Sequence, residues 1–139
     1  MANVRELIKE VLKEGFILNL ATHDEGGVWV APVTYVFDDD FNLYWISFPE
    51  VRHSKALVIK PEVAGNIVAN HKPGVERALQ IYGIAEALTG NQPELEEKLH
   101  AKNGSQFLSQ ERRWYKLTPK KIGLTHNEYF GYDRQEVEF

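Results

Sequence analysis

Between residues 16 and 88 the sequence alternates between turn signals and short segments rich in β-branched and aromatic residues. The first two turn signals are Asp-Glu-Gly-Gly at 24–27 and Asp-Asp-Asp at 38–40. Strands joined by such short turns pair antiparallel, so the first three segments are expected to form a meander. The segments predicted as strands cover residues 16–22, 28–37, 42–47, 62–69 and 78–88, with a last strand region at 114–118 and 121–126.

An amphipathic helix precedes these strands. Its apolar residues recur with the 3.6-residue period of a helix that buries one face. They are Val4, Leu7, Ile8, Val11 and Leu12. Asn3 and Glu6 have the spacing of a capping box, and Gly15 is expected to end the helix in the left-handed conformation. The apolar stripe predicts that this helix packs on the sheet.

Two further helices are predicted between the strands. The first covers residues 50–59, and Ser47 and Glu50 have capping-box spacing at its start. The second has Asn91 as its cap and Pro93 in its first turn. Together the elements predict a mainly β fold with flanking helices, in the form of a small antiparallel barrel.

Two residues inside the predicted strands are unusual there. Pro32 lies in the second strand, and proline cannot donate a hydrogen bond to a neighbouring strand. Gly83 lies in the fifth strand, where glycine indicates a bulge or a close approach of another backbone. We therefore expect an edge, a bulge or an approaching group at Pro32, and a bulge or close contact at Gly83.

Composition excludes several classes of protein. The length of 139 residues predicts one domain over 1–139. Lys and Arg number 16 against 20 Asp and Glu, and the net charge of −4 argues against a dedicated nucleic-acid binder. The absence of cysteine excludes a disulfide framework and thiolate metal sites. No apolar run approaches the roughly 18 residues of a membrane helix, and the charged N-terminus does not resemble a signal peptide, so a cytoplasmic location is expected.

The segment 47–55 carries the clearest candidate for binding chemistry. The start of a helix offers unpaired backbone N–H groups and the positive end of the helix dipole. Arg52 adds a planar bidentate donor and Lys55 adds a point charge, so this segment is a candidate phosphate site. A solvated basic helix face explains the same residues. On the pattern alone both interpretations stay open.

No set of residues that would catalyse a reaction by itself is evident. The five histidines lack the spacing of a metal site, so no metal is predicted. No nucleophile-elbow, Walker or dinucleotide motif is present. The basic residues around Trp114 fit either nucleic-acid contact or the commoner protection of a strand edge by lysines. If the protein is an enzyme, a bound cofactor is therefore expected to supply the chemistry.

The order of several motifs resembles the pyridoxamine 5′-phosphate oxidase-like flavoproteins, and within them a small, poorly characterised bacterial branch. The motifs are Leu-Ala-Thr at 20–22, Val-x-Pro-Val at 30–33, Leu-Tyr-Trp-Ile-Ser at 43–47, Arg-His-Ser-Lys at 52–55, Pro-Glu-Val-Ala at 61–64, Gln-Ile-Tyr-Gly-Ile-Ala-Glu-Ala at 80–87 and Asn-x-x-Phe-Gly at 127–131. The resemblance extends from about residue 3 to residue 131. It implies an antiparallel, Greek-key-like split β-barrel of the FMN-binding type, assembled as a homodimer with the cofactor at the interface.

The resemblance also implies which positions contact the cofactor. The strand along the isoalloxazine ring is matched by Ala31, Pro32, Val33 and Thr34. The flavin contacts of the next strand are matched by Trp45, Ile46 and Ser47. The phosphate-binding positions are matched by Arg52, Ser54 and Lys55, with His53 of the branch motif expected to face the phosphate. Candidate contacts from the partner chain are Gln80, Trp114 and residues 127–131.

These implications predict an FMN-binding flavoprotein that acts as an oxidoreductase on a small molecule. Ala31 stands where many relatives have a basic residue, and the C-terminal substrate-binding residues of the oxidase itself are missing. Both departures favour the alternative, a non-catalytic binding protein for FMN, haem or another planar cofactor on the same dimeric barrel. A barrel that serves only as an interaction module is a third possibility. No nucleic-acid or membrane partner is expected.

Overall fold

A computed structural model describes residues 3–104 and 112–139, which form seven strands and four helices. In chain order these are α1 (Val4–Glu14), β1 (Ile17–Asp24), β2 (Gly27–Phe37), β3 (Leu43–Ser47), α2 (Arg52–Ile59), β4 (Glu62–Asn70), β5 (Arg77–Ala87), α3 (Pro93–Asn103), β6 (Arg113–His126), α4 (Asn127–Phe130) and β7 (Gln135–Glu138). Within these two ranges no helix is both long enough and apolar enough to cross a membrane.

The strands form one antiparallel sheet in the order β3-β2-β1-β4-β5-β6-β7, which confirms the predicted meander of β1 to β3. A further pairing between β3 and β6 closes this sheet into a barrel. The long strand β6 pairs with β3 over 113–117 and with β7 over 121–124. Because these two partners use successive parts of β6, the barrel closes at one end and opens at the other. The fold is the predicted split β-barrel.

The barrel interior is filled by side chains from alternate strand positions. Trp45 is fully buried and stacks on Tyr115, with 6.1 Å between the ring centroids. Tyr35 is also buried, and its hydroxyl donates a 2.6 Å hydrogen bond to the backbone oxygen of Leu12 in α1. The apolar stripe of α1 is buried on the sheet as predicted. This single chain therefore completes the interior of its own barrel.

The ends of three helices differ from the prediction. Gly15 is extended rather than left-handed, and a Cβ there would lie 2.4 Å from Ile67 Cγ2, so glycine serves close packing. Val51 is the N-cap of α2 and makes no side-chain cap, so the predicted capping box of Ser47 is wrong. The N-cap of α3 is Gln92 rather than Asn91, although Pro93 lies in the first turn as predicted.

The expectations for the two unusual strand residues are confirmed. Pro32 pairs with β1 on one side, but β2 pairs with β3 only over 35–37, so the other edge of residues 27–34 is unpaired within the described chain. A register shift in the β5–β6 pairing lies at Gly83, where a Cβ would be 2.2 Å from the Thr118 oxygen. The bulge lets β6 run unbroken from Arg113 to His126 instead of as two pieces. The short elements α4 and β7 were not predicted.

Candidate functional site

A cavity of about 650 Å³ lies where β3 leads into α2, and we call it the α2 cavity. Its lining consists of Asp24, Glu25, Gly26, Glu50, Arg52, Lys55, Ala56, Ile59 and Lys60. Three cations and three carboxylates therefore face the same space. The two lysines come from α2 and the residue that follows it, while Asp24 and Glu25 come from the β1–β2 hairpin. The site thus joins two segments that are distant in sequence.

Arg52 is held by the hairpin. Its Nε donates a 3.0 Å hydrogen bond to Asp24 Oδ2, and its Nη2 donates another of 3.0 Å to Oδ1. The guanidinium carbon lies 4.6 Å from the ring centroid of Trp29 in β2, within cation–π distance. The hydrogen bonds from Arg52 lower the pKa of the Asp24 carboxyl below its ordinary value, so this carboxylate is ionised at neutral pH. The Nη1 group of Arg52 has no hydrogen-bond partner in the part of the chain that the structure describes.

The predicted phosphate residues do not all face one space. Arg52 and Lys55 line the α2 cavity. Ser47 Oγ and His53 Nε2 form a separate hydrogen bond of 3.0 Å, and burial lowers the pKa of His53, so the imidazole is neutral at pH 7. Ser54 is only 1% exposed and does not line the cavity. The structure therefore divides the predicted cluster into a cationic pair, a Ser–His pair and a buried serine.

The predicted ring-binding residues alternate between the two faces of the barrel wall. Ala31, Val33 and Trp45 are buried in the interior, whereas Pro32 is exposed on the outside. Thr34 and Ile46 are partly buried. The part of this segment that lies open is thus the unpaired backbone edge of β2, together with its outward side chains. Trp29 connects this edge to the α2 cavity through its contact with Arg52.

A second candidate region is the outer face of β1, β2, β4 and β5, which we call the open sheet face. Its outward residues, neighbours by strand register, are Asn19, Ala21, His23, Val28, Val30, Ala64, Asn66, Gln80 and Tyr82. Val28 is 84% exposed and Val30 is 62% exposed. The predicted partner contact Gln80 lies here and hydrogen-bonds Arg134. This face combines exposed apolar residues with side-chain amides.

The two other predicted partner contacts lie elsewhere. Trp114 is buried against Val36, Leu95 and Leu99 beneath α3, so it is not part of the open sheet face. In the segment 127–131, Asn127 accepts a hydrogen bond from the Glu76 backbone and donates one to the backbone oxygen of Gly131. These bonds tie α4 to the start of β5. Both regions thus have a structural role within this chain.

Sequence reasoning missed three residues of the α2 cavity region, namely Asp24, Trp29 and Lys60. Asp24 and Trp29 flank the hairpin turn, and their meeting with Arg52 depends on how the β1–β2 hairpin packs on α2. The sequence signal for this contact is limited to the opposite charges of Asp24 and Arg52, which lie 28 positions apart. Among residues 3–104 and 112–139, no group of three or more His, Asp or Glu side chains is arranged to hold a metal ion.

Comparison with known proteins gives distant relatives and many structural neighbours. No protein-family model matches the chain. Curated UPF0306 proteins of Yersinia pseudotuberculosis and Yersinia pestis are 28% identical over 87 residues. The match covers 61% of this chain and 59% of theirs, so the chain spans about three fifths of the length of these relatives.

Solved structures show the fold more fully. A Listeria innocua protein named for pyridoxamine 5′-phosphate oxidase has a TM-score of 0.74 and 18% identity, covering 88% of this chain and 98% of that one. The haem storage protein HutZ of Vibrio cholerae has a TM-score of 0.70 and 19% identity, with 90% and 95% covered. An FAD-binding protein of Mesorhizobium loti has a TM-score of 0.67 and 18% identity, with 87% and 92% covered. The chain therefore has the split β-barrel fold of pyridoxamine 5′-phosphate oxidase-like proteins.

Proposed function

We propose that this protein binds FMN as a homodimer and acts as a flavin-dependent oxidoreductase on a small molecule. The observation that carries the proposal is the α2 cavity, where three cations line one space and Arg52 contacts Trp29 in the unpaired segment of β2. An elongated ligand with a flat head and an anionic tail matches this combination. The flavin and haem binding named for proteins of the same fold supports a planar cofactor.

The anionic tail would lie among Lys55, Lys60 and the Nη1 group of Arg52. A phosphate accepts hydrogen bonds from several donors at once, and both lysines present flexible ammonium groups. The first turn of α2 adds backbone N–H groups at the positive end of the helix dipole. Three carboxylates in the same lining limit the net attraction, so we expect binding by specific contacts rather than by a strong field.

The flat head would lie along the unpaired edge of β2 at residues 30–34. Backbone N–H and C=O groups of an edge strand are available to a ring that carries donors and acceptors. Pro32 has no backbone N–H group, so the row of hydrogen-bond donors along this edge is interrupted at residue 32. FMN supplies hydride transfer when bound, which requires no side-chain base from the chain. The role of these residues is to bind and orient the ring.

The homodimer is supported by the open sheet face. Exposed Val28 and Val30 lie beside Ala21 and Ala64, and such apolar patches mark interaction sites on soluble proteins. A second copy of the chain on this face would cover these residues and shield the adjoining β2 edge from water. Gln80 and Arg134 would then face the partner chain.

The test is titration of the purified protein with FMN, followed by quenching of flavin fluorescence. We expect saturable binding, and Lys55→Ala is expected to weaken it roughly tenfold, the value of one charge-assisted contact at an exposed site. Lys72→Ala is the matched control, because Lys72 is exposed on the β4–β5 turn outside the cavity. Absence of FMN binding, or equal loss in both variants, would contradict the proposal.

A second candidate function is binding of haem, and one observation favours it. His23 lines a cavity of about 310 Å³ on the open sheet face with Ala21, Val28 and Tyr82, and its buried Nε2 has no hydrogen-bond partner in the described ranges. An imidazole nitrogen without a hydrogen-bond partner is suited to bind haem iron. Titration with hemin separates the two candidates. Haem binding predicts a shifted Soret band that His23→Ala removes, whereas the flavin proposal predicts no such dependence.

A further inference from the structure

Arg52, the strongest donor of the α2 cavity, already has an anionic partner. Asp24 occupies the edge of the guanidinium formed by Nε and Nη2, with both hydrogen bonds at 3.0 Å. A bidentate carboxylate uses the same planar fork that would bind a phosphate. The backbone N–H of Gly26 fixes the Asp24 carboxylate by a 2.8 Å hydrogen bond to Oδ1. A ligand phosphate therefore meets an arginine whose better edge is occupied and whose charge is compensated.

We propose that Asp24 is a built-in competitor for the anionic tail of the ligand, and that it sets how strongly the α2 cavity prefers a phosphorylated ligand to the same ligand without phosphate. The inference rests on the proposed function, since it concerns the phosphate end of that site. It adds that Lys55 and Lys60 are the primary phosphate contacts, while Arg52 contributes fully only when the Asp24 contact is broken or absent.

The surroundings of the pair allow Asp24 to be neutralised without rebuilding the site. An asparagine at this position keeps an oxygen that accepts the Gly26 N–H bond, so the hairpin turn retains its local support. Trp29 continues to hold the guanidinium plane at its 4.6 Å distance. A Cβ at Gly26 would lie 3.0 Å from Arg52 Nη2, so glycine there leaves room for the arginine. Asp24→Asn thus removes one negative charge and one carboxylate oxygen that accepts from Arg52, and it leaves the rest of the cavity lining unchanged.

Glu25 supplies a matched control within the same cavity. Its side chain lines the α2 cavity beside Asp24, is exposed, and forms no ion pair with a described residue. Glu25→Gln changes the net charge of the lining by the same amount as Asp24→Asn, while the Asp24–Arg52 pair stays in place. Comparison of the two variants therefore separates competition for Arg52 from a general reduction of negative charge.

The experiment measures the dissociation constants of FMN and riboflavin for the wild-type protein and both variants at equal ionic strength. The dissociation constant of riboflavin divided by that of FMN is the ratio that reports the contribution of the phosphate. We expect Asp24→Asn to tighten FMN binding on the order of tenfold and to leave riboflavin binding within twofold. Glu25→Gln is expected to change the ratio by less than threefold, because an exposed, unpaired charge is screened by solvent.

Other results would overturn the inference while leaving flavin binding in place. An unchanged ratio in Asp24→Asn would show that Asp24 does not compete, and a reduced ratio would show that it positions Arg52 for the phosphate. An equal gain in Glu25→Gln would assign the effect to net charge. If no form binds flavin, the proposed function fails, and thermal stabilisation by inorganic phosphate then decides: greater stabilisation of Asp24→Asn than of wild type and Glu25→Gln supports the competition, and equal stabilisation contradicts it.

Discussion

The inner and outer faces of β2 differ in how completely the chain covers them. Inward residues such as Val33 and Tyr35 are buried by the barrel and by α1. Outward residues of the same strand, such as Val28 and Val30, are mostly exposed although they are equally apolar. A strand normally places polar residues on a face that meets water. The chain therefore buries the inner face itself and leaves apolar residues of the outer face exposed, which agrees with the dimer proposed above.

This difference separates the residues that maintain the fold from those available for binding. Side chains in the interior are closely packed, so substitutions there are expected to change the free energy of unfolding. The outer face and the adjoining α2 cavity contain ion pairs, exposed apolar groups and an unpaired edge, so their changes are expected to act on binding. Four substitutions test this separation.

The largest effect is expected from Trp45→Ala in the interior. The substitution removes a fully buried ring that stacks on Tyr115 and leaves a cavity, at a cost of about 3–5 kcal/mol in the free energy of unfolding. Trp29→Ala is the matched control at the hairpin end of β2, where the half-exposed ring contacts Arg52, and about 1 kcal/mol is expected. Urea unfolding of both variants provides the measurement. Similar losses would show that the ring beside the α2 cavity contributes as much to stability as the ring in the barrel interior.

A smaller loss is expected from Gly83→Ala at the β5–β6 bulge. The new Cβ would lie 2.2 Å from the Thr118 oxygen and 2.9 Å from Pro119 Cα, both of them backbone atoms. The strands must move apart, which costs about 1–3 kcal/mol of stability. Glu86→Ala is the control, because this exposed residue lies on the same strand and the substitution adds no Cβ to the chain. Thermal or urea unfolding that leaves Gly83→Ala unchanged would contradict the close approach.

On the outer face, Val30→Glu is expected to change association more than stability. The side chain is 62% exposed, so the free energy of unfolding at low protein concentration should change by less than about 0.5 kcal/mol. A second chain on the open sheet face would bury the new carboxylate, so the dimer should dissociate more readily. Light scattering after size-exclusion chromatography measures this. Val58→Glu, on the exposed side of α2, should leave the assembly unchanged, and equal behaviour of the two variants would exclude the open sheet face as the interface.

The comparison of faces also explains what the sequence predicts well. The strands and the α1 stripe follow from local periodicity, and Pro32 and Gly83 follow from what proline and glycine do to strand pairing. Each of these signals lies within a few residues of the feature it predicts. For the same reason the existence of a cationic helix start after β3 was predictable from residues 52–55.

Features that depend on contacts between distant segments were not predictable in this way. The Asp24–Arg52 pair forms only after the hairpin packs beside α2, and Asp24 alone is typical of a turn residue. Gly15 has the sequence signal of a helix end, yet its role is to let Ile67 approach. The short strand β7 depends on the edge that β6 leaves after β3 ends, which no local pattern indicates.

The smallest effect is expected from the Ser47–His53 pair, which lies between the two regions. Burial lowers the pKa of His53 in the folded chain below the ordinary value of 6.5. As the pH falls below about 6.5 the unfolded chain binds a proton that the folded chain does not, so the free energy of unfolding decreases until the folded pKa is reached. Above that window the histidine contributes no pH dependence. The protein should therefore be less stable at pH 5.5 than at pH 7.5.

His53→Gln tests this assignment, because glutamine keeps a polar partner for Ser47 Oγ but does not titrate. The variant is expected to lose less stability than the wild type between pH 7.5 and pH 5.5 in urea unfolding. His71→Gln is the control, since this side chain lies exposed in the β4–β5 turn. A pH dependence in His53→Gln as steep as that of the wild type would show that His53 binds protons equally in the folded and the unfolded chain, as an exposed imidazole does. In that case the Ser–His pair would belong with the binding region rather than with the barrel.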